Sequence, residues 1–94
     1  MFSLEVSDYR KGDLGFTQHP GEFSWLVEVL KVSGKGYDAR LTRLNLDSVS
    51  GKYIPEFNTG TYAFVERTRM QELGSKLDEE YFAKWQKFVA ERRI

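Results

Sequence analysis

The sequence predicts an α+β domain: a small, mostly antiparallel five- or six-stranded barrel-like sheet followed by a C-terminal amphipathic α-helix. Residues 1–67 are rich in β-branched and aromatic side chains and are punctuated by Gly, Pro, Asn and Asp. Residues 68–94 are rich in helix formers and contain one Gly and no Pro. Strands first and helix last is the α+β pattern. The length, 94 residues, suits a single domain that buries roughly 60–65% of its unfolded surface, enough for one core without staples.

Phe2, Leu4 and Val6 alternate with Ser3 and Glu5, as in a half-buried strand. Lys11-Gly12-Asp13 forms a turn into the short alternation of Leu14 and Phe16, and His19-Pro20-Gly21-Glu22 breaks regular structure as a loop. Trp25 to Val32 is apolar on both parities, which predicts a central strand or one covered on both faces. Ser33-Gly34-Lys35-Gly36 turns the chain back as a hairpin. Tyr37, Ala39 and Leu41 share one parity and Leu44 and Leu46 the other, a switch that calls for a bulge or sharp bend. Asp47 to Gly51 turns into Lys52–Phe57, and Asn58-Thr59-Gly60 turns into Thr61–Arg67. A short helical turn is expected over about 69–73, where Thr68 to Gln71 has capping-box spacing and Gly74 ends it. Ser75-Lys76-Leu77-Asp78 is a second box, which opens a helix over about 76–92. Asp78, Glu79 and Glu80 suit the positive end of its dipole and Arg92 and Arg93 the negative end. Leu77, Tyr81, Trp85, Phe88 and Val89 form its apolar stripe.

The Lys11-Gly12-Asp13-Leu14-Gly15-Phe16 run, the strand Trp25–Val32, the Gly-rich hairpin and the Thr61–Val65 strand closing on a short turn together resemble a Src-homology-three-like small barrel. KOW and Tudor-type modules share that architecture. In such modules a Lys-Gly-Asp turn commonly opens the barrel and a short helical turn follows the penultimate strand. The resemblance spans roughly residues 8–73. It implies a module that binds nucleic acid, peptides or partner proteins, among which the fold alone does not choose. The acidic loop and paired aromatics of signalling Src-homology-three domains are missing, so recognition of proline-rich peptides is not implied.

Without cysteine the chain has no disulfide, no thiolate nucleophile and no cysteine-based metal site. Fourteen basic and fourteen acidic residues cancel, and the balance also holds separately in residues 1–70 and 71–94. A duplex-DNA binder would show a basic excess. The longest apolar run is Tyr62–Val65, far short of a membrane span, and the N-terminus lacks a signal-peptide pattern, so a cytoplasmic protein without membrane attachment is expected. Gly34-Lys35-Gly36 lacks phosphate-loop spacing and precedes a strand. His19 lies in a loop without ligand partners, and Asp8, Asp13 and Glu22 read as surface carboxylates. No catalytic residue, cofactor or metal is expected.

These exclusions leave a small non-catalytic protein–protein interaction module, an inhibitor or adaptor of a larger machine, as the leading expectation. The aromatic residues Tyr81, Trp85 and Phe88 of the helix, with Tyr37 and Tyr53, are its candidate partner contacts. Because the stripe can exceed what a small barrel covers, a homo-oligomer through the C-terminal helix is also compatible. The alternative is nucleic-acid binding by a basic, aromatic-bordered sheet face carrying Arg40, Arg43, Lys52, Arg67 and Arg69, with Arg40 facing solvent. A third reading is a small enzyme whose site forms only between subunits.

Overall fold

The computed structural model describes residues 9–18, 21–58 and 60–92. The expected strand over residues 2–6, together with His19 and Arg93, lies outside the described residues. Six strands form one curled antiparallel sheet, a half-barrel: β1 Leu14–Thr17, β2 Ser24–Val32, β3 Gly36–Asp47, β4 Lys52–Pro55, β5 Thr61–Glu66 and β6 Gln71–Glu72. A 3-10 turn at Arg67–Arg69 joins β5 to β6, and helix α1, Glu79–Arg92, ends the fold. The sheet order is β4-β3-β2-β1-β6, with β5 paired to β3 as well. Twelve-residue β3 is therefore shared: Gly36–Leu41 pair with β5 and Leu44–Asp47 with β4.

Both faces of the sheet are covered along the middle of β2, which explains why that strand is apolar on both parities. Successive strand residues point to opposite faces. Val27 and Val29 face inward with Tyr37, Ala39, Leu41, Val65 and Met70, against which Tyr9, Trp25 and Ala63 pack. Leu26 faces outward with Phe16 and Leu44, and there Leu77 and Trp85 cover it, with Phe82 and Val89 alongside. The inner core also needs Gly15. A Cβ there would lie 2.8 Å from Met70 Cε and 2.9 Å from its Sδ, so the methionine fills the space a side chain would take.

The parity switch in β3, for which a bulge or a sharp bend is expected, is not marked by a bulge in β3 itself. The ladder irregularity lies in β2, between Val29 and Lys31. The buried parity of β3 changes because its cover changes. Tyr37 to Leu41 face the inner core, whereas Thr42 and Leu44 lie under the helix side, and Leu46 runs past that cover and is exposed.

The helix starts later than its spacing suggests. Residues 76–78 are taken up by an extended bridge to β4, in which the Tyr53 N–H donates to the Lys76 carbonyl at 2.8 Å and the Asp78 N–H to the Tyr53 carbonyl at 2.9 Å. Asp78 then caps the helix, its Oδ1 accepting from the N–H groups of Glu80 at 3.0 Å and Tyr81 at 3.1 Å. The expected helical turn over 69–73 is displaced likewise. It forms at Arg67–Arg69, because Met70 dives into the inner core and Gln71 and Glu72 pair with Phe16 and Gly15.

Candidate functional site

Across the outer face, one row of residues runs Leu14, Glu28, Arg40, Tyr62 over β1, β2, β3 and β5. This row puts Arg40 on the helix side of the sheet, half-buried rather than facing solvent, since its parity matches that of Leu26 and Thr42. Its Nη1 lies 3.6 Å from Glu28 and its Nη2 donates to the Tyr62 hydroxyl at 3.0 Å, with the guanidinium 5.2 Å from the Tyr62 ring centre.

Between this row and the last turn of α1 runs a groove of about 450 Å³. Arg40 and Thr42 of β3 and Tyr62 of β5 form its floor; Phe88, Val89 and Arg92 of α1 form one wall. The other wall is the β4–β5 loop, through Asn58 and Gly60. Side chains of Asn45, Glu56 and Asn58 bond with one another and with Gly60 at this wall. Asn58 Oδ1 accepts the Gly60 N–H at 2.8 Å, and the Glu56 carboxylate accepts from the amides of Asn45 and Asn58 at 3.2 Å. Gly60 has φ +80°, and a Cβ on it would lie 2.7 Å from Arg40 Cγ, so the turn presses the arginine stem against the sheet.

Aromatic rings continue outward from both ends of the groove. Phe57 packs on Phe88 with ring centres 5.5 Å apart. Phe64 lies two residues beyond Tyr62 on the same side of β5. Tyr62 is 69% exposed, Phe64 49% and Phe57 45%. Arg92 leans on the Phe88 ring at 5.2 Å.

The structure does not gather the five candidate basic residues on one face. Arg43 points away from Arg40, with its guanidinium 3.7 Å from the centre of the Phe23 ring and its Nε 3.9 Å from Glu56. Lys52 Nζ donates to the Ser75 carbonyl at 2.7 Å. Arg67 donates to the Tyr37 hydroxyl and the Ser33 carbonyl, each at 2.9 Å, and Arg69 to Glu66 at 3.0 Å. Only Arg40 reaches the groove.

The five candidate partner-contact aromatics also divide. Tyr37 and Trp85 are core residues, one in each cluster, so neither offers a surface. Tyr53 is half-buried beside Phe16, Tyr81 is exposed near the start of α1, and Phe88 lines the groove. The sequence reading missed Tyr62, Phe64, Phe57 and the Asn58–Gly60 wall. The available signal was that Tyr62 and Phe64 share a parity opposite to Ala63 and Val65.

Among the described residues no three His, Asp or Glu side chains are grouped to hold a metal ion, and no helix is long and apolar enough to cross a membrane. Comparison with known protein families, curated proteins and solved structures finds no match.

Proposed function

We propose that the chain is a non-catalytic protein-binding module, an adaptor or inhibitor, whose contact surface is the aromatic rim of the groove. One observation carries this reading. Tyr62 lines the groove and is exposed, and two further exposed rings adjoin it, Phe57 packed on the groove residue Phe88 and Phe64 two residues along β5. Large aromatic side chains clustered on one surface mark interaction sites, because burying them against a partner recovers the free energy that folding left unused. The run from β5 through the 3-10 turn to β6, which returns to pair with β1, supports the Src-homology-three-like reading of the barrel.

A photo-reactive phenylalanine analogue at position 64, with the same analogue at exposed Val49 of the β3–β4 turn as control, tests the proposal in native lysate. The expected result is a discrete protein adduct from position 64 that survives nuclease treatment and is missing from position 49. No adduct, or the same adducts from both positions, counts against it.

Single-stranded nucleic acid is the second reading, favoured by Tyr62 and Phe64 lying two positions apart on one sheet face beside Arg40, an arrangement on which bases could stack. It is the weaker one. Phosphate binding draws its affinity from several cations acting together, and Arg43, Lys52, Arg67 and Arg69 are each engaged elsewhere.

A further inference from the structure

We infer that the groove between β5 and the end of α1 takes an acidic peptide segment: a carboxylate set against Arg40 and Arg92, with a neighbouring aromatic or aliphatic side chain between Tyr62 and Phe88. This rests on the protein-binding reading above and names the chemistry of the partner.

Charge is the first argument. Among the described residues the groove is lined by two arginines and by no Asp or Glu. Glu28, which approaches Arg40, belongs to the adjoining hollow under Trp85. The carbonyl end of α1 contributes about half a negative charge, and Arg92 at that end outweighs it. Arg40 is already paired with Glu28 at 3.6 Å, so the positive charge the groove offers an anion rests mainly on Arg92.

Preorganisation is the second. Gly60 holds the Arg40 stem, Glu28 lies to one side of its guanidinium and the Tyr62 hydroxyl accepts from the other. Nη1 already faces Glu28, Nη2 the Tyr62 hydroxyl, and Nε is buried, so Arg40 meets a carboxylate through its remaining Nη hydrogens. With the side chain already fixed, little rotamer freedom is lost on binding. Tyr62 and Phe88 add apolar walls, and about 450 Å³ lies within the range of sites that enclose a small ligand or a few peptide groups. Two cations are too few for a phosphodiester track but sufficient for one carboxylate.

Selection of a random dodecapeptide library on the full chain, followed by fluorescence anisotropy with the enriched peptides, tests the inference. Enriched peptides should carry Asp or Glu beside Phe, Tyr, Trp or Leu. Their affinity should fall about tenfold in Arg92→Gln, as loss of a charge-assisted contact predicts. A similar fall is expected when the peptide carboxylate is replaced by its amide. Tyr62→Ser should weaken binding further. Arg92 and Tyr62 are both exposed, so both variants should keep the wild-type circular dichroism spectrum and urea midpoint. Failure to enrich any peptide, enrichment of sequences without acidic residues, or affinity unchanged in Arg92→Gln would each overturn the inference. Displacement of the peptides by a dT decamer, with steep salt dependence, would overturn it in favour of nucleic acid. A partner still cross-linked from position 64 but insensitive to Arg92→Gln would remove only the acidic-peptide assignment. Absence of the position-64 adduct from the otherwise wild-type chain would remove the protein-binding reading with it.

Discussion

Replacing Trp85 by alanine tests whether α1 is held by the sheet of its own chain or waits for another. Trp85 is only 4% exposed and stacks on Phe82 with ring centres 6.0 Å apart, in the cluster of Phe16, Leu26, Leu44 and Leu77. Truncating such a core aromatic costs about 3–5 kcal/mol in lost burial and residual cavity. The indole Nε1 is buried without a hydrogen-bond partner among the described residues. Its removal therefore forfeits no internal hydrogen bond, which puts the expected loss at about 3–4 kcal/mol. In a domain of this size 1 kcal/mol moves Tm by about 4–8 °C, so Tm should fall by roughly 12–30 °C. Urea unfolding followed by far-ultraviolet circular dichroism measures the loss, with an unchanged m-value confirming that the same surface unfolds. Trp85→Phe keeps most of the ring and should cost only about 1–1.5 kcal/mol. A loss below about 1 kcal/mol for Trp85→Ala would refute the intramolecular docking. So would a wild-type midpoint that rises with protein concentration, which would return the stripe to a homo-oligomer contact.

Asp78→Ala should cost about 1 kcal/mol of stability, read as a lowered urea midpoint, while Asp78→Asn should retain most of it; equal midpoints for all three would mean the cap is not made. Gly15→Ala should cost about 1–3 kcal/mol by overpacking against Met70, and Met70→Ala in the same chain should show favourable coupling in a double-mutant cycle, whereas simple additivity would refute the contact. Tyr9 has its pKa raised, first by burial and then by the charges of Glu72, Tyr37 and Asp13. The folded state therefore holds this proton more tightly than the unfolded chain. Its contribution is intact below about pH 10, the ordinary tyrosine value, and is lost as pH rises through the folded pKa. Urea midpoints between pH 8 and 11 should fall less steeply in Tyr9→Phe than in wild type; parallel curves would count against it.

The α+β class and strands β1 to β5 were legible because they rest on local patterns, whereas β6 falls where a helical turn was expected. The double apolar parity of Trp25–Val32 could only suit a strand with cover on both sides, and the structure supplies two cores. Features that depend on a distant partner were not legible. Ser75 has the sequence of a helix cap, but the Tyr53–Leu77 bridge holds residues 76–78 extended and hands the cap to Asp78. The switch in β3 reads as a bulge or a sharp bend from its own residues, because nothing local says that the covering layer changes from inner core to helix halfway along. Arg40 looked solvent-facing for the same reason: its parity is opposite to the core at Tyr37 and Leu41, and the helix that covers that face comes almost forty residues later.

The same blindness hid the groove. Thr61–Val65 is apolar on both parities, as β2 is, yet β2 is covered on both faces from Leu26 to Val29 whereas Tyr62 and Phe64 stay exposed. Helix α1 leaves β4 through the Leu77 bridge and has fourteen residues, a length of about 21 Å. That length carries it across the row of Phe16 and Leu26 to Arg40, where its last turn forms the groove wall instead of closing over β5. Tyr62 and Phe64 are what remains of an outward apolar face beyond the end of its cover. Arg92, in the last described turn of α1, lines the same groove as Arg40. That exposed apolar face beside Arg40 and Arg92 is the feature on which the proposed partner contact rests.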